Sequence, residues 1–119
     1  DRDAHLTLAG SGNVDVLHHA LVSRILFEGT RAVGVEVLRG GNRERIAAGE
    51  VVLSGGAFNS PQVLQLSGVG DPEHLRSVGI DVVQELPGVG ENMQDHLEVY
   101  VQHACTRPVS MQPALKKWR

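Results

Sequence analysis

A chain of 119 residues has room for one small domain; 41% apolar residues can give it a core, and with only 3% aromatic that core must come from Val and Leu. A net charge of −3 and a pI near 6.0 exclude the basic footprint of a nucleic-acid or anionic-membrane binder. No apolar run approaches the roughly 18 residues of a membrane span, and the single cysteine, Cys105, excludes an internal disulfide.

Residues 1–12 show weak periodicity and no start signal. Val14, Val16 and His18, then Val22, Arg24 and Leu26, fall in β-favouring runs that end at the turn residues Glu28-Gly29-Thr30. Residues 32–38 alternate as the hairpin partner, Arg39-Gly40-Gly41-Asn42 makes a second turn, and residues 44–47 return as a short edge strand. Residues 50–54 differ in kind. Val51-Val52-Leu53 is a continuous apolar run bounded by glycines, which predicts a buried parallel strand. Gly55-Gly56-Ala57 then turns the chain, and Ser60-Pro61, a cap followed by a first-turn proline, predicts a helix over 60–67 with Val63, Leu64 and Leu66 on its apolar side.

Ser67-Gly68-Val69-Gly70 ends that helix. Asp71-Pro72 repeats the device for a short second helix through Leu75 to Val78, stopped by Gly79. A brief strand is predicted at 80–83, a glycine-rich loop at 86–90, and a half-buried strand where Leu97, Val99, Val101 and His103 alternate with polar residues. The fold class is α/β in the loose α+β sense: a β-meander set before a strand–loop–helix unit. The weakly patterned start, and an end reached just after Pro108 and Pro113, predict an internal piece of a longer protein.

Strand, three tiny residues, then a capped helix is an arrangement that lets backbone approach a phosphate or ribose. Glycine has no Cβ to hold a ligand away, and a helix N-terminus offers unpaired N–H groups. A tight turn with no ligand fits the same residues. The other glycine clusters fail as dinucleotide fingerprints: Gly88-Val89-Gly90 has Met93 in the third glycine position, Gly68-Val69-Gly70 ends a helix instead of opening one, and Gly10-Ser11-Gly12 has Asp15 in the third position. The six histidines predict no metal site. His18 and His19, as neighbours on a strand, point to opposite faces, and His5 and His74 have no partner at ligand spacing. Asp95-His96, beside Asn92, suits loop bracing or a polar network near a cofactor. Ser60 and Ser67 lack a nucleophile elbow and read as caps.

Residues 56–70, Gly-Ala-Phe-Asn-Ser-Pro-Gln-Val-Leu-Gln-Leu-Ser-Gly-Val-Gly, resemble the second signature of the glucose-methanol-choline oxidoreductase family at every defining position. Arg31-Ala32-Val33-Gly34-Val35-Glu36 resembles the family's hairpin. Leu86-Pro87-Gly88-Val89-Gly90-Glu91-Asn92-Met93-Gln94-Asp95-His96 resembles the segment after the signature, with Met93 replacing a leucine. Leu97-Glu98-Val99-Tyr100 and residues 104–110 look like the choline-oxidising branch.

The resemblance implies that residues 13–96 are part of a Rossmann-like FAD-binding domain carrying the inserted meander, and that residues 97–119 begin a substrate domain. It implies FAD as cofactor and a small alcohol, choline going to betaine aldehyde, as substrate. Hydride then passes to the flavin while a histidine near the family's C-terminus takes the hydroxyl proton. Val22 matches the residue whose backbone pairs with the FAD adenine, and Gly55, Gly56 and Ala57 match the turn beside the FAD ribose and pyrophosphate. No residue of this chain matches a catalytic residue or a metal ligand, so the piece alone is expected to be inactive. By resemblance the whole protein is associated with the bacterial inner membrane, cytoplasmic, or mitochondrial. Another alcohol substrate within the family, and a non-enzymatic α/β ligand-binding module, stand as alternatives.

Overall fold

The computed structural model describes residues 5–9, 12, 14–104 and 106–107. Cys105 and residues 108–119, which hold most of the expected start of a substrate domain, lie outside the described residues.

The chain opens with an antiparallel hairpin of β1 (His5–Ala9) and β2 (Val14–His18), with His5 opposite His18. No strand was expected at β1. His19 leaves the strand in a left-handed conformation (φ 56°), so it is a turn residue and not the strand neighbour of His18.

The predicted meander is present. β3 (Leu21–Glu28), β4 (Arg31–Arg39) and β5 (Asn42–Ala47) form a three-stranded antiparallel sheet in that order, joined by turns at Gly29 and Gly40-Gly41. Ile25, Val35 and Val37 are buried in it, with Ala20 just before β3. Gly34 of β4 pairs with Ala47 of β5. A Cβ there would run into the Ile46 carbonyl, so this position takes only glycine.

Residues 50–54 do not form the expected strand. They have no ladder partner among the described residues, and Val52 is 78% exposed. A parallel strand has to be flanked by strands from elsewhere in a sheet. Among the described residues the only parallel pair is β6 (Val69–Gly70) with β7 (Gln84–Glu85).

α1 (Gly56–Leu66) begins four residues before the expected Ser60, which places Pro61 inside the helix. Ser60 is not the N-cap. Its hydroxyl accepts from the N–H of Gly55, the true cap, at 2.9 Å. Gly56, with φ +86°, turns the preceding run into the helix at a cost only glycine avoids. The helix ends as expected: Ser67 is the C-cap, and Gly68 (φ +85°) reverses the chain with its N–H on Gln65 O.

α2 (Pro72–Ser77) matches its prediction. Asp71 accepts from the His74 N–H at 2.8 Å, Pro72 fills the first turn, and Gly79 (φ +76°) stops the helix. Leu75 is 0% exposed, its side chain beside Gly70. The strand expected at 80–83 falls later, as β7, because Val83 and Gln84 both donate to Gly68 O. The alternating segment 97–103 forms no strand among the described residues and is open to solvent, with Leu97 97% exposed. Alternation specifies a face; the strand still needs a neighbour to accept its hydrogen bonds.

Candidate functional site

The expected small-residue turn is instead the start of α1: Gly55 is its N-cap, and Gly56 and Ala57 are its first two residues. Gly55, Gly56 and Ala57 are exposed, and a Cβ on Gly56 would meet nothing within 4 Å. The cap has no side-chain acceptor for the first amides, and no acidic residue stands in the first turn. The positive end of the helix therefore faces solvent, although the Gly55 N–H is already taken by the Ser60 hydroxyl. Its chemistry suits an anion or a ribose hydroxyl brought against the backbone.

Beside this turn lies an open groove of about 670 Å³. Ala57, Phe58 and Pro61 from α1 form one wall, and Gly90 and Met93 the other. Gln65 closes its floor by donating from Nε2 to Val89 O at 3.1 Å. Gly90 (φ +84°) permits that approach, since a Cβ there would stand 2.7 Å from Gln65 Nε2. Asp95 accepts from the N–H of His96 at 2.7 Å, a local brace of the loop.

Val22 is not part of the groove wall. It is half-buried in β3 opposite Val37. β3 is the outer strand of its sheet, so one backbone edge is free of strand pairing there. α1 separates the two predicted places. Its 11 residues span about 16 Å, with the glycine turn at one end and Ser67, bonded to β3, at the other.

Two features were not anticipated. Ser67 accepts from the Ile25 N–H at 2.8 Å and donates to Val63 O at 2.5 Å, so one buried hydroxyl ties the helix C-terminus to the open edge of β3. Nothing local in the sequence announces a bond across 42 positions. The second is Glu36, 4% exposed on β4. Its carboxylate takes Arg24 at 3.1 Å on one oxygen and Arg43 at 2.8 Å on the other. The Ser23 hydroxyl lies 3.0 Å from Glu36 O and 3.1 Å from Oε1. The Arg24 guanidinium is the main cause that holds this carboxyl below its ordinary 4.5; burial opposes it, and Ser23 and Arg43 reinforce it. Alternation with Val35 and Val37 hides Glu36 in the sequence as a routine outward residue.

Among the described residues no three His, Cys, Asp or Glu side chains gather to hold a metal ion, and no helix is long and apolar enough to cross a membrane. A profile of the GMC oxidoreductase family matches residues 2–98. The oxygen-dependent choline dehydrogenase of Staphylococcus saprophyticus is 59% identical over 105 residues, 88% of this chain and 19% of that protein. The mitochondrial choline dehydrogenase of Homo sapiens is 56% identical over 108 residues, 90% of this chain and 18% of that protein. The chain thus spans about a fifth of the length of these relatives. Among solved structures, an FAD-dependent oxidoreductase from Chaetomium thermophilum superposes with a TM-score of 0.56 at 40% identity, over 58% of this chain and 12% of that one. Pyridoxine 4-oxidase from Mesorbium loti gives 0.56 at 29% identity, over 58% and 14%.

Proposed function

The chain belongs to the GMC oxidoreductase family, and from that premise we propose that it is part of an FAD-dependent dehydrogenase that oxidises choline to betaine aldehyde. Residues 13–96 contribute to the FAD-binding domain, and residues 97–119 open the substrate domain. The observation that carries the cofactor reading is the exposed, acid-free N-terminus of α1, where Gly55 is the N-cap and Gly56 and Ala57 open the helix. Its open backbone suits the ribose and pyrophosphate, and the free edge of β3 suits pairing of the Val22 backbone with the adenine. FAD, when bound, supplies the acceptor for hydride from the alcohol carbon. This chain's part is to hold the nucleotide end; the proton acceptor for the substrate hydroxyl is assigned to residues beyond it. Choline as substrate, and a bacterial or mitochondrial setting, rest on the choline dehydrogenases at 56–61% identity.

The test is the full-length protein. It is expected to carry a flavin absorbance that choline bleaches without oxygen; a colourless protein, or a flavin indifferent to choline, defeats the reading. Within it, Val22→Ile should keep the flavin, since a main-chain contact survives and β-propensity is retained. Val22→Pro should lose it, because the N–H is removed.

A further inference from the structure

The register of β3 breaks at one place near Val22. Val22 pairs with Val37 and Arg24 with Glu36, which leaves Ser23 as an extra residue without a partner on β4. Such a bulge turns two successive side chains to one face and re-aims the backbone groups around it. Both side chains are claimed. Ser23 and Arg24 each bond Glu36, and Arg43 reaches the same carboxylate diagonally from β5. On the opposite edge, Ile25 is held by Ser67, just past the bulge. The irregular stretch 22–24 is therefore flanked by bonds on both edges; on the inner side the Ser23 hydroxyl lies 3.0 Å from the Glu36 backbone O and 3.1 Å from the carboxylate that also takes both arginines.

We infer that Glu36 is a positioning residue for the nucleotide: its carboxylate locks the Ser23 bulge and so fixes where the backbone of Val22 points. A regular strand would need no such device, since ladder bonds alone set its register, and Val or Thr at 36 would suit a β-sheet better. A buried carboxylate is expensive to keep unless it is fully paired, and here Ser23, Arg24 and Arg43 occupy both of its oxygens. The inference rests on the reading of Val22 as an adenine contact.

The experiment is done on the full-length apoprotein, measuring FAD affinity by flavin fluorescence quenching beside the melting temperature without FAD. Glu36→Gln keeps the side chain's size but loses the charge that holds both arginines; FAD affinity should fall at least tenfold. Ser23→Ala, a milder change that spares the ion pairs, should weaken FAD about threefold or more. The control is Val33→Ala, on the same strand but outside the clamp, which lowers the melting temperature while leaving the affinity of the folded protein within about twofold. Should Glu36→Gln and Ser23→Ala bind FAD as the control does at equal loss of melting temperature, Glu36 is only structural and the inference is overturned. Val22→Pro separates the two layers. If it keeps the flavin, the adenine assignment itself falls. If it loses the flavin while both clamp variants bind normally, only the clamp fails.

Discussion

The meander of residues 21–47 and the segments at 50–54 and 97–103 are equally β-like in composition, yet only the first is knit. Each strand of the meander finds its partner within a few residues, through the turns at Gly29 and Gly40-Gly41. The other two segments have no such neighbour among the described residues, and Val52, Leu97, Val99 and Val101 face solvent. Local pairing closes short loops at little entropic cost, whereas a strand whose partners are distant carries only half of its own specification. Glu98 and Tyr100 show the limit of what such a segment does alone. The Tyr100 hydroxyl donates to Glu98, two residues away, which pushes the phenol up from its ordinary value.

Substitutions sharpen the contrast. The largest effect is expected at Gly68→Val. Its φ of +85° disfavours a β-branched residue, and the added Cβ would strike Asp81 O and the Val83 side chain. A loss of about 3 kcal/mol or more should appear in the denaturant midpoint of the full-length protein. A loss below about 1 kcal/mol would mean that the junction of α1 with β7 gives way easily.

Ser67→Ala comes next. It strands the Ile25 N–H at the open edge of β3, at a cost of about 2 kcal/mol. Hydrogen exchange is the sharper reading: the Ile25 amide should lose protection while that of Val35 keeps it.

The acid response should be smaller and bounded in pH. The folded Glu36 carboxyl is held below 4.5, so its contribution is fully present above that value. It is lost as pH falls through the lower folded value, because the unfolded chain takes up the proton first. The stability gap between wild type and Glu36→Gln should therefore be constant near neutrality and shrink below about pH 4.5. A gap that persists unchanged at pH 3 would assign the effect to packing and not to charge.

The smallest effect is expected in segments 50–54 and 97–103. In the 119-residue chain, Leu97→Ser should change stability by less than about 0.5 kcal/mol, and amides 97–103 should exchange almost freely. In the full-length protein the same substitution should cost about 1–3 kcal/mol if Leu97 is covered there. Equal costs in both settings would remove the distinction between knit and unknit regions.

Much of this protein is written locally in the sequence. The meander, the Asp71-Pro72 cap and the C-terminal reversal at Gly68 follow from turn chemistry, capping and periodicity, all of which act over a few residues. Residues 56–70 also carried the family resemblance, because a signature is itself a local object. What only the tertiary structure decided depends on partners far along the chain. The Ser67 hydroxyl bonds Ile25 across 42 positions, and Glu36 is buried because a bulge brings Ser23 and Arg24 to one face. Residues 50–54 remain unpaired because hydrophobicity marks a segment for burial without supplying the neighbour that buries it.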